Sequence, residues 1–219
     1  MSPAKLLAEF IGTFFLVLVI CMTALDPNLP AGLAPIAIAA VLAAMIFALG
    51  HVSGAHFNPI VTLAFTIRRS MPRSETGPFM LVQIAAAVAA SLASAWVARE
   101  ALGVEELAIA PLELKIVPTM ILETLFSFAL VLVILNVATA RKQVGNHFFG
   151  LAIGLVVLAG AYVAGPVSGG AFNPAVTFAL GTLGIADWSD VWMHFCGQIA
   201  GGLLAVAAFT VIEGRPAED

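Results

Sequence analysis

The sequence predicts an all-α membrane protein with six transmembrane helices and two re-entrant half-helices, built as an inverted repeat. Three observations carry this. Apolar runs fall at 6–25, 33–52, 79–98, 117–138, 148–166 and 191–212, and a helix needs about 20 apolar residues to cross a bilayer. The motif Asn58-Pro59-Ile60-Val61-Thr62 returns as Asn173-Pro174-Ala175-Val176-Thr177, 115 residues later. Only 10% of the 219 residues are charged and 61% are hydrophobic, against roughly 25% charged in a soluble domain. Six spans with short loops use up the chain, so residues 1–219 read as one transmembrane domain.

The first span also argues for duplication. Glu9 to Ile20 matches Glu123 to Ile134 at an offset of 114, with the Glu, a Phe and the Leu-Val-Leu-Val-Ile tail identical. Because this stretch recurs in mid-chain, it reads as a retained span and not as a cleaved signal peptide. Gln83 and Gln198, each opening the last apolar run of its half, match at 115. The repeats therefore cover approximately 1–100 and 115–215, with three full spans each. Three is odd, so the second copy sits upside down relative to the first.

The half-helices follow from the Asn-Pro pairs. Asn caps free backbone N–H groups, and Pro at the first helical position has no N–H to waste. Each pair is preceded by Ser-Gly and Phe: Ser53-Gly54-Ala55-His56-Phe57 and Ser168-Gly169-Gly170-Ala171-Phe172. Glycine permits the irregular backbone of a strand descending into the membrane. Such backbone is tolerated at that depth only when buried in protein or lining a watery cavity. Orientation follows from Lys and Arg. With the N-terminus inside, Lys5, Arg68, Arg69, Arg73, Arg141, Lys142 and Arg215 are cytoplasmic, and Arg99 and Lys115 are outside. Asp26, Glu100, Glu105, Glu106, Glu113, Asp187 and Asp190 then share the outer face.

Two half-helices meeting from opposite sides build a pore. The free carbonyls of the descending strands, at Gly54, Ala55, Gly169, Gly170 and Ala171, form an acceptor ladder, and Asn58 and Asn173 offer N–H donors at the centre. Both helix N-termini point there, each worth roughly half a positive charge. A neutral polar solute can exchange hydrogen bonds along this path, whereas a cation meets a repulsive centre. Glu9 and Glu123 lie within spans, where a carboxylate is expensive. The reading is that each turns inward and accepts backbone N–H groups from the re-entrant loop of its own half. A proton relay is the alternative.

Other polar residues read more simply. His51 and His56 are five apart, which is not the same-face spacing of a helical metal pair, so no metal and no cofactor are expected. His147 and His194 read as interfacial, and Trp96, Trp188 and Trp192 as an outer aromatic belt. Cys21 and Cys196 read as core packing. Nine scattered basic residues give no nucleic-acid footprint.

Ala8-Glu9-Phe10-Ile11-Gly12-Thr13, the stretch from Gly50 to Pro59, and Ser168 to Thr177 resemble the aquaporin, or major intrinsic protein, family over nearly the whole chain. The resemblance implies six tilted helices and two half-helices around one pore per subunit, a homotetramer in membrane lipid, and passage of water and small neutral solutes. It also implies that His56 serves the pore through its backbone carbonyl. Two departures stand out. The residue after the second Asn-Pro-Ala is usually Arg; here it is Val176. By spacing, the other three residues of that outer constriction are Ile38, Ala161 and Gly170, where water-selective members carry Phe, His and a small residue. Ile60 replaces the usual Ala of the first motif. The sequence leaves two outcomes open for it: narrowing the centre or repacking the half-helix.

Without Arg, with its five donors and fixed charge, the constriction reads as wide, apolar and uncharged. The expectation is a passive channel for glycerol-like polyols, urea and metalloid hydroxides such as arsenite, besides water. Arginine-lacking filters occur in bacterial family members linked to arsenic handling. The resemblance to them implies metalloid passage, while the short chain, short loops and no targeting segment incline the reading to a bacterial inner membrane with both termini cytoplasmic. The alternatives are a strict water channel and an inverted-repeat secondary transporter, which would want an ion or proton site in the spans. An enzyme is not expected: the spans hold no paired Asp, deep Ser-His pair or metal motif.

Overall fold

The computed structural model describes residues 2–30, 32–104 and 111–214. Glu105, Glu106 and Arg215, assigned to sides above, lie outside them. The helices are α1 (Pro3–Leu25), α2 (Ala34–Ser53), α3 (Pro59–Ile67), α4 (Arg73–Leu102), α5 (Ile116–Thr139), α6 (Phe149–Ser168), α7 (Pro174–Thr182) and α8 (Trp192–Glu213), with a 3-10 turn at Arg141–Gln143. All but α3 and α7 are long and apolar enough to cross a membrane. Among the described residues there is no strand.

The two repeats pack alike. α1 lies along α4 and α5 along α8, while α2 against α6 joins the halves. Small residues let these backbones close. A Cβ at Gly197 would lie 2.8 Å from Glu123 Cβ and 3.0 Å from the Met120 carbonyl, and one at Gly154 would lie 2.8 Å from the Ala39 carbonyl. Lipid tails are as apolar as Leu, so close backbone packing, not hydrophobicity, holds membrane helices together.

Contacts at the helix ends define two faces. On one, Lys5 pairs with Glu75 at 3.0 Å, Arg68 donates to the Gly214 carbonyl at 3.1 Å, and the Arg141 N–H donates to Glu213 at 2.8 Å. On the other, Tyr162 donates to the Gly32 carbonyl at 2.7 Å and the Leu112 N–H to the Ile185 carbonyl at 2.8 Å. The basic residues Lys5, Arg68, Arg69, Arg73, Arg141 and Lys142 thus gather at the first face.

Trp96, Trp188 and Trp192 are exposed. Cys21 is buried, but Cys196 is exposed on the outward side of α8, which corrects the expectation of core packing. An apolar run reports membrane depth without telling lipid side from protein side, because both are apolar.

Candidate solute pore

The half-helices meet tip to tip. Asn58 Oδ1 accepts from the Ile60 N–H and Asn173 Oδ1 from the Ala175 N–H, both at 2.9 Å. Each cap therefore uses its own oxygen on its own helix start. The amide nitrogens cross over. Asn58 Nδ2 donates to the Phe172 carbonyl at 3.0 Å, and Asn173 Nδ2 to the Phe57 carbonyl at 2.9 Å. An amide NH2 carries two hydrogens, so each Asn keeps one N–H beyond this crossed pair. Both residues line the same cavity.

The strands leading to the tips are held from behind. Glu9 accepts from Ser53 Oγ (2.7 Å), the His56 N–H (2.9 Å), the Phe57 N–H (2.7 Å) and Gln83 Nε2 (2.8 Å). Glu123 repeats the set with Ser168 Oγ (2.7 Å), the Ala171 N–H (3.0 Å), the Phe172 N–H (2.8 Å) and Gln198 Nε2 (2.9 Å). Ser53 Oγ and Ser168 Oγ also accept from the N–H of Ala55 and Gly170. In a trans peptide the C=O points opposite the N–H. Tying these six N–H groups to one side turns the carbonyls of Gly54, Ala55, His56, Gly169, Gly170 and Ala171 to the other. None of those carbonyls accepts a protein hydrogen bond among the described residues.

This geometry forces unusual backbone. Ala55 (φ 50°), Phe57 (φ 50°) and Phe172 (φ 48°) are left-handed without being glycine, each at a cost of about 1–3 kcal/mol. Both carboxylates are fully buried, and charge-assisted bonds to a buried carboxylate supply the compensating stabilisation.

One cavity, open to solvent and about 660 Å³ when that open space is included, runs past the crossed Asn pair. Ile38, Ala161, Gly170 and Val176 all line it, as do Ala55, His56, Gly169 and Ala171. Gly54 does not. Its opposite wall is aliphatic, with Leu16, Leu42, Ile46, Leu130 and Ile134 among its residues. No Lys or Arg is among the described lining residues. Arg68, at the far end of α3, is turned away to Thr210 Oγ1 (2.9 Å) and the Phe209 ring. Nor do the described residues hold a group of three or more His, Cys, Asp and Glu placed for a metal.

Ile60 is resolved between its two outcomes. Its side chain points away from the cavity into a notch on α8, where a Cβ on Gly202 would lie 2.5 Å from Ile60 Cγ1. The extra bulk is absorbed by a glycine 142 positions later.

The histidines divide. His51 and His147 are exposed. His56 lies in the re-entrant strand, its Nδ1 3.1 Å from Thr62 Oγ1 and its ring against Phe65 and Phe79. His194 is fully buried, not interfacial as the sequence suggested, with Nε2 2.7 Å from the Ser168 carbonyl. It lies in the first turn of α8, which already packs inside the protein. Sequence reasoning also undervalued Gln83 and Gln198. Each donates to its Glu and to a Thr hydroxyl of its half-helix, Thr62 at 3.0 Å or Thr177 at 2.9 Å. Their recurrence at the repeat offset was the available signal.

Comparison with known proteins identifies the family. The sequence model of the family described as Major intrinsic protein matches residues 2–209. Aquaporin NIP1-4 of Oryza sativa subsp. japonica is 34% identical over 216 residues, spanning 94% of this chain and 76% of the rice protein. Aquaporin NIP2-1 of Zea mays is 33% identical over 223 residues, spanning 95% of this chain and 70% of the maize protein. Among solved structures, the aquaglyceroporin from Plasmodium falciparum superposes with a TM-score of 0.80 at 16% identity, covering 94% of each chain, a likeness of fold. The chain belongs to the major intrinsic protein, or aquaporin, family: it is a multi-pass membrane channel for water and small solutes, not an enzyme.

Proposed function

We propose that the chain is a passive, broad-bore channel for small neutral solutes: glycerol-like polyols, urea and undissociated metalloid hydroxides such as arsenite, together with water. The observation that carries this reading is Val176 on the cavity wall beside Ile38, Ala161 and Gly170. Four small or aliphatic residues offer neither a fixed charge nor a ring to close the opening. The path is two-sided, with the carbonyls of Ala55, His56, Gly169, Gly170 and Ala171 and two spare Asn N–H groups facing an aliphatic wall. A polyol presents both kinds of surface. The Asn58 and Asn173 donors and the two half-helix N-termini oppose cations. Glu9 and Glu123 act as braces behind the strands, each carboxylate already occupied by four donors.

The setting proposed is the cell membrane of a bacterium, with both termini cytoplasmic because the basic residues gather at their face. The assembly is a homotetramer. Stopped-flow light scattering on proteoliposomes, with glycerol, urea and arsenous acid as permeants, tests the function. The reading predicts reswelling with all three. Shrinkage without reswelling would indicate a strict water channel.

A further inference from the structure

Two buried polar atoms on α8 have no partner among the described residues: His194 Nδ1 and Gln198 Oε1. Both residues are fully buried and one helical turn apart, so they share a face. They are the two ends of a single chain of hydrogen bonds. His194 Nε2 lies 2.7 Å from the Ser168 carbonyl. A carbonyl only accepts, so Nε2 carries the proton. Ser168 Oγ donates to Glu123 Oε1 at 2.7 Å. Gln198 Nε2 donates to Glu123 Oε2 and to Thr177 Oγ1, both at 2.9 Å. The Gln198 amide cannot be turned over, because its oxygen would then face the carboxylate.

With Nε2 protonated, the neutral ring leaves Nδ1 as an acceptor. Both loose ends are therefore acceptors and cannot satisfy each other. A molecule with two donors satisfies both at once. A third unpartnered atom, Thr119 Oγ1, precedes Glu123 by one turn on α5, just as His194 precedes Gln198 on α8. The two helices run side by side, with Gly197 against Met120 and Glu123. Thr119 Oγ1 is thus a third unpartnered group, on the helix packed against α8. The first repeat has no such pair. Phe79 stands at the position equivalent to His194, and Gln83 Oε1 has the Thr62 hydroxyl 3.5 Å away.

We infer that His194 Nδ1 and Gln198 Oε1 hold one ordered water, which donates an O–H to each. It closes a ring through Ser168, Glu123 and Gln198 at the root of the second re-entrant strand. Buried waters of this kind make about three hydrogen bonds to otherwise unsatisfied polar groups. The site takes no part in solute passage. It fixes Ser168, from which the strand of Gly169, Gly170 and Ala171 departs.

The test is solid-state 15N NMR of the full chain in liposomes at neutral pH, with labelled histidine. The His194 signals are assigned by their loss in His194→Phe, which installs the residue the first repeat carries. The expected result is a ring protonated on Nε2 alone, with Nδ1 hydrogen-bonded and showing a water cross-peak that Gln198→Met abolishes. A ring protonated on both nitrogens, or the absence of a water cross-peak at Nδ1 in the unmodified protein, overturns the inference. So does a cross-peak unchanged in Gln198→Met. If Gln198→Met does not fold, the protonation state and cross-peak of the unmodified protein decide alone.

Discussion

Asn58 and Asn173 hold each other's backbone: the amide of each donates to the carbonyl of the residue preceding the other, at 3.0 and 2.9 Å. The contact fixes the distance between two helix tips that come from the two different repeats. Asn173→Ala removes the cap on Ala175 and orphans the buried Phe57 carbonyl. The cap is worth about 1 kcal/mol and the unmade bond about 1–3 kcal/mol. The expected outcome is a lower unfolding temperature in detergent, with a similar drop for Asn58→Ala. An unchanged melting curve for either variant would contradict the crossed pairing.

Glu9 and Glu123 distinguish a brace from a relay. A carboxamide keeps one acceptor oxygen where the carboxylate has two, and its NH2 would face N–H donors. Each lost bond to the charged group is worth about 1.5–3 kcal/mol. Glu9→Gln and Glu123→Gln are therefore expected to reduce folded protein sharply and about equally, as read by size-exclusion yield and thermal unfolding. A proton gradient should drive no solute accumulation by the unmodified protein. Normal folding of the Gln variants, combined with loss of a pH-driven uptake, would favour a relay.

Ile60 and Gly202 form a knob and its notch. Gly202→Ala alone overpacks the contact, at about 1–3 kcal/mol. Ile60→Ala alone leaves a void, at about 2–5 kcal/mol. The double variant Ile60→Ala with Gly202→Ala is expected to regain part of the loss, since the equivalent pair in the other repeat is Ala175 and Ala87, both fully buried. Neither Ile60 nor Gly202 lines the cavity, so solute permeability per folded channel should stay the same. Additive destabilisation in this cycle would contradict the contact.

Gly12 admits the Phe57 ring. A Cβ there would fall within contact of the ring atoms, and Phe57 is already in a left-handed conformation with no exposure. Gly12→Ala should displace the first re-entrant strand and lower both stability and permeability. A thermal shift and swelling rate equal to the unmodified protein's would contradict this packing.

These residues also show what the sequence made legible. The half-helices could be read because the signal was local: an Asn cap and a Pro at the next position, written twice. Glu9 and Glu123 stood out because a carboxylate in an apolar span demands a partner. Ile60 could not be placed, because the glycine that receives it lies on α8, and no local pattern links the two. His194 was misread because apolar flanks and a nearby chain turn look the same at an interface and at a buried helix start. Cys196 was misread because the membrane removes the difference between inside and outside that hydropathy reports in soluble proteins.

The central claim is that the outer constriction passes solutes larger than water because residue 176 is Val. The direct test compares glycerol and water permeabilities of the unmodified protein and Val176→Arg in the same proteoliposomes. The account predicts that Val176→Arg lowers glycerol permeability at least about tenfold, equivalent to about 1.4 kcal/mol of barrier, while water still passes. An unchanged ratio of glycerol to water permeability in a correctly folded Val176→Arg variant would contradict it.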